Sequence, residues 1–195
     1  MIPHETIEIF SKLWFATNII TIAIIIAILY HGKKNISSHH ERIKLGFIIG
    51  VILLIRVIIT HPYQIYIGKW VVESSLPLHL CGISSIISCI LLFRFNQFLY
   101  EFLVLLGIPG AIQALLTPEF TLGIDNFFLI EYFVSHGGII LSGLYLTFVL
   151  NNRLRVGSWL RVVIYSQFLL IGVHFINVLL NSNYIYTRIK PIVNN

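Results

Sequence analysis

Residues 13–30 read LWFATNIITIAIIIAILY, eighteen positions without a single charged side chain. A run of this length approaches the roughly 20 apolar residues that an α-helix needs to cross a bilayer core. Lipid offers no partner to backbone N–H and C=O groups, so an isolated run of this kind must satisfy them internally, as a helix. It does not read as a cleaved signal. The preceding Met1 to Lys12 carries Glu5 and Glu8 instead of a basic segment, and no small-residue cleavage site follows. The sequence therefore predicts a retained first membrane helix.

Working outward, hydrophobic segments fall near residues 10–30, 44–60, 75–93, 98–116, 126–150 and 158–180, separated by short polar or turn-rich stretches such as Thr117-Pro118-Glu119. Of the 195 residues, 57% are hydrophobic and 11% charged, and mean hydropathy is +0.88, more apolar than the core of a soluble globule requires. The expected fold is an all-α polytopic membrane bundle of about six transmembrane helices, one domain spanning 1–195. Alternating strands of the kind that build an outer-membrane barrel are absent from the sequence. The net charge of +5 comes from basic residues scattered singly between hydrophobic segments, which argues against nucleic acid as a partner.

Those basic residues instead set an expected orientation. Lys33, Lys34, Arg42, Lys44, Arg94, Arg153, Arg155 and Arg161 fall on one side, and only Lys12, Lys69, Arg188 and Lys190 on the other. Lys and Arg are retained in short cytoplasmic loops, so the N-terminus is expected outside a cell membrane. Cys81 and Cys89 share one segment eight positions apart, about 12 Å along a helix, too far for a disulfide.

The polar residues inside the hydrophobic segments carry the functional reading, because such groups are costly in lipid and mark pockets, pathways or reaction centres. The segment lengths put Arg56 and Gln113 near the outer ends of the second and fourth segments. They put His79, Cys81, Glu131, His136, His174 and Asn177 in outer halves, so that eight groups from five helices share one layer. The short second segment is expected to bury Arg56 in the bundle. Gly107, Pro109 and Gly110 are expected to bend the fourth segment. Gln167, His174, Asn177 and Asn181 form a helical stripe expected to face the bundle.

Within the layer, Cys81 and His136 are the components of an activated nucleophile. Ser74-Ser75-Leu76-Pro77 suggests a cap and a first-turn proline, which would put Cys81 in about the second turn of its helix. His79 points some 200° away from Cys81 and is a poor direct base, whereas His136 comes from another helix at similar depth. Glu131, five positions from His136, lies on a different face and is a weak partner for it.

Leu76-Pro77-Leu78-His79-Leu80-Cys81, Gly110-Ala111-Ile112-Gln113-Ala114-Leu115-Leu116-Thr117-Pro118, Phe133-Val134-Ser135-His136, Asn177, Asn183-Tyr184-Ile185-Tyr186 and Lys190-Pro191 together resemble the YwaF-like bacterial integral membrane proteins. Their eukaryotic relatives include a cysteine-dependent phospholipid acyltransferase. By motif, the resemblance implies Cys81 and His136 as the catalytic pair. It also implies one more hydrophobic helix beyond Lys190-Pro191, where this sequence runs only to Asn195.

The leading expectation is thus a lipid acyltransferase, or a hydrolase, in which Cys81 takes an acyl chain from a phospholipid and passes it to a lysophospholipid or another acceptor. His79, Gln113 or Arg56 would hold an oxyanion or phosphate, with Glu131, His174 and Asn177 as further candidates for the substrate site. The alternative is a transporter or lipid-binding protein without covalent chemistry. No cofactor is expected, and no HExxH or CxxC spacing supports a metal built from His79, Cys81, His136 and His174.

Overall fold

A computed structural model describes residues 5–190. It is an all-α bundle, with one short pair of strands at one end. β1 (Glu5–Thr6) leads into α1 (Lys12–Tyr30), which continues through a π-helical turn to Asn35. Then come α2 (His39–Tyr66), a single turn α3 (Val72–Ser75) and α4 (Leu80–Phe93). α5 (Gln97–Phe102), a π-turn (Leu103–Gly107) and α6 (Ile108–Leu116) form one continuous span. β2 (Glu119–Phe120) pairs antiparallel with β1, and α7 (Asn126–Leu144, extended as a π-turn to Val149) and α8 (Ser158–Leu180) complete the bundle. Five of these helices are long and apolar enough to cross a membrane, and α4 is shorter.

Local chemistry sets the helix starts. The Ser11 hydroxyl accepts the Trp14 N–H at 3.2 Å, Asn96 accepts from Phe98 and Leu99 at 3.0 and 3.1 Å, and Asp125 accepts from Phe128 at 2.7 Å. Each satisfies N–H groups that the first turn leaves free. α8 ends at Asn181, whose left-handed φ of 51° is one that asparagine tolerates better than most residues.

α7 is the axis of the bundle. It packs against α1, α2, α4 and α6, and 61% of its apolar stretch is buried, against 17% for α1 and for α8. Gly137, Gly138 and Gly143 make this possible: a Cβ at Gly137 would sit 2.6 Å from Thr21 Cγ2, at Gly138 it would collide with Leu53, and at Gly143 it would lie 2.6 Å from Ile108 Cδ1. Without a hydrophobic drive between helices in lipid, such close backbone approach is the main source of packing energy.

The structure moves several boundaries. α2 runs 28 residues, about 42 Å, where 44–60 was expected, because the charged flank from His39 and the far end through Pro62 stay helical, a length greater than the roughly 30 Å of a hydrocarbon core. Residues 31–35 are likewise helical where a loop was expected. The segment expected at 75–93 is broken: Leu76 is extended (φ −68°, ψ 145°), as the residue before a proline prefers, and α4 starts only at Leu80.

Candidate functional site

Arg56 sits about 15 Å inside the Tyr66 tip of α2 rather than at its end. Its Nη1 meets Glu131 Oε1 of α7 at 2.5 Å and its Nη2 donates to Ser85 Oγ of α4, so one guanidinium ties three helices together. The two charged side chains are 15% and 17% exposed. A cation at this depth needs such partners. Arg56 is thus turned into the bundle, and Glu131 is its counter-ion, a role the sequence did not reveal. Ser85 was not singled out as a site residue at all; its only signal was its position one turn from Cys81.

With α4 starting at Leu80, Cys81 lies in the first helical turn and not the second. The partial positive charge of the helix N-terminus acts mainly over this turn. Cys81 is half-buried and on the same face of α4 as Ser85. Tyr132 also stacks on His136, with ring centroids 4.2 Å apart, and donates its hydroxyl to the Ala114 carbonyl at 2.8 Å.

His136 is buried, and its Nδ1 lies 2.8 Å from the Tyr132 carbonyl oxygen. A carbonyl only accepts, so Nδ1 carries the hydrogen and, in the neutral ring, Nε2 is left with a free lone pair. Among the described residues no hydrogen bond joins this ring to Cys81 Sγ. His79 is held elsewhere: its Nδ1 accepts the Ile185 N–H at 3.3 Å, and its ring packs on Tyr184 and Tyr186.

The remaining members of the expected layer separate from this cluster. Gln113 is exposed on α6, and among the described residues its side chain bonds only to Thr117. His174 and Gln167 are exposed, so the expected stripe on α8 does not face the bundle; the buried line runs instead through Val162, Val173 and Asn177. The reason is that α8 is an outlying helix, in contact mainly with α5, α3 and the turn at Tyr184–Tyr186.

Asn177 is fully buried but has no valence to spare. It donates to the Tyr184 carbonyl and Thr187 Oγ1 and accepts from Ser182 Oγ and the Tyr184 N–H, each at 2.8 Å. It therefore holds the loop after α8, whose Tyr184 hydroxyl donates to the Val72 carbonyl and accepts the Leu76 N–H. Among the described residues no group of three or more His, Cys, Asp or Glu side chains is arranged to hold a metal ion.

A family model, the TMEM164 family, matches residues 7–195. The chain belongs to the TMEM164 family. No curated protein and no solved structure matches it. Family membership and the five long apolar helices together make it a multi-pass membrane protein.

Proposed function

We propose that this TMEM164-family chain is a lipid acyltransferase of the cell membrane, with its N-terminus and the Cys81 end of the bundle outside. The observation that supports the reading is the tautomer of His136 set by the Tyr132 carbonyl, which leaves Nε2 as a proton acceptor on α7, while half-buried Cys81 stands on α4, a helix packed against α7. The resemblance to the YwaF-like proteins and their acyltransferase relative points to the same two residues.

In the proposed reaction, Cys81 Sγ attacks the ester carbonyl carbon of a phospholipid while its proton passes to His136 Nε2. The tetrahedral intermediate expels the glycerol oxygen, which takes that proton and leaves as a lysophospholipid. A second lysophospholipid or other alcohol, deprotonated by the same nitrogen, attacks the thioester and restores the thiol. With water as acceptor, the same steps give a hydrolase. Arg56, neutralised by Glu131, still has a buried Nε–H without a partner among the described residues, a donor for the ester oxygen. The thiol and imidazole are not hydrogen-bonded in this state, so their contact forms on substrate binding, as catalytic hydrogen bonds often tighten only in the complex.

The test uses purified protein in detergent or nanodiscs with a phospholipid carrying an isotope label in its acyl chain. Wild type is expected to retain label that neutral hydroxylamine releases, as thioesters are released, and Cys81→Ala to retain none. His136→Ala should slow labelling by about 10²- to 10⁴-fold, the usual contribution of a general base. Cys89→Ala, buried two turns deeper, should behave as wild type. Label that survives Cys81→Ala removes this residue from the mechanism. A complete lack of covalent label favours the alternative, a transporter or lipid-binding protein.

A further inference from the structure

A cavity of about 490 Å³ lies away from Cys81, between α1, α2 and α7. α1 and α2 each pack on α7 and make little contact with one another, so they form two walls with α7 as the floor. The walls are mostly isoleucine, including Ile20, Ile24, Ile28, Ile49 and Ile52, and the floor runs from Leu129 to Leu141. β-Branched side chains are stiff, which makes the groove a preformed shape rather than a gap that neighbouring side chains can fill.

Two hydroxyls on the lining could have made it polar. Thr17 Oγ1 donates to the Leu13 carbonyl and Thr21 Oγ1 to the Thr17 carbonyl, both at 2.8 Å. Both are spent on their own helix, and the Thr21 methyl lies over Gly137. The groove thus offers a ligand apolar contact along its whole length.

That length identifies the occupant. Thr17 to Ile28 covers about 16 Å of α1 and Leu129 to Leu141 about 18 Å of α7, close to the roughly 15 Å depth of one leaflet's hydrocarbon. One end lies beside a charged pair: lining residues Leu53 and Ile52 are one turn from Arg56 on α2, and lining residue Ile130 adjoins Glu131 on α7. We infer that the groove binds a single acyl chain of a membrane phospholipid, with the ester end at the Arg56–Glu131 pair and the methyl end near Ile28 and Leu141. It names the lipid chain site of the proposed function, but it holds equally for a lipid-binding protein, since the chain is bound without any covalent step.

The test is photo-crosslinking in nanodiscs of unlabelled phosphatidylcholine, doped with phosphatidylcholine bearing a diazirine near the end of one acyl chain. Adducts are mapped by mass spectrometry. Groove adducts should cluster at the Ile28–Leu141 end and outnumber those on the equally apolar outer face of α8 (Ile164, Phe168, Ile171) by about tenfold. Moving the diazirine next to the ester should move them toward Leu129 and Ile130. Ile52→Trp and Ile24→Trp, each filling the groove from a different wall, should cut groove adducts at least fivefold while α8 adducts stay constant, which also reports that the bundle is intact. Equal labelling of groove and α8, or positions that ignore the diazirine's place in the chain, would mean ordinary annular lipid and overturn the inference in the wild-type protein alone. The thioester experiment is scored separately. Groove adducts without thioester would sink the enzyme reading only, and thioester without groove adducts would sink this inference only.

Discussion

Arg56 shows how much one side chain can decide in lipid. Its guanidinium bonds Glu131 on α7 and Ser85 on α4, so the cost of burying a cation is offset by a counter-ion from one helix and a hydroxyl from another. Removing either partner leaves the other charge buried and alone. Arg56→Leu or Glu131→Leu alone should each cost about 3–5 kcal/mol, whereas the double substitution should recover most of that loss. Thermal unfolding of the three variants in detergent measures it; additive losses would show that the two groups do not act as a pair. His136 makes the complementary point. A single backbone carbonyl assigns its tautomer, and with it the nitrogen that can accept a proton.

At the scale of an element, α7 is distinguished by the residues it lacks. Gly138 lets Leu53 of α2 lie where a Cβ would be, and Gly143 does the same for Ile108 of α6, so the axial helix touches four neighbours along its backbone. Gly172, on outlying α8, has nothing within 4 Å of a Cβ. Gly138→Leu or Gly143→Leu should therefore lower the midpoint of unfolding, with a cost of about 1–3 kcal/mol or more from overpacking, while Gly172→Leu should leave it unchanged. Matched midpoints for Gly143→Leu and Gly172→Leu would refute the close packing of α6 on α7. α4 illustrates the opposite device: Pro77 delays the helix until Leu80 and so brings Cys81 into the first turn.

For the whole molecule, both ends of the bundle are tied by polar contacts. At one, β1 pairs with β2, Ile124 N–H donates to Glu5, and Tyr184 bonds the backbone at Val72 and Leu76. At the other, buried Glu101 accepts from Arg155 at 2.7 and 3.0 Å and from Arg161 at 3.3 Å, anchoring the start of α8, and Lys33 donates to Asn151 at 3.0 Å. Lys33 and Asn151 must share a side of the membrane. Single-cysteine probes on a Cys-free background should therefore find positions 33 and 152 protected together from an impermeant reagent added to intact cells, and position 121 labelled. Labelling at 33 from outside reverses the proposed orientation.

The amino-acid sequence alone determined that the chain is helical and polytopic, because runs such as residues 13–30 have no other solution in lipid. It also brought forward Cys81, His136, Arg56 and Glu131, since polar residue types within those runs stand out whatever their partners. What it could not contain was the partnership. Depth along a helix places His174, Gln113 and Arg56 in one layer, but depth says nothing about azimuth, and the rotation of each helix is set by packing against neighbours distant in sequence. Only the tertiary structure turned Arg56 toward Glu131 and Ser85, left His174 and Gln113 on exposed faces, spent every hydrogen bond of Asn177 on its own loop, and opened a lipid-length groove between α1 and α2.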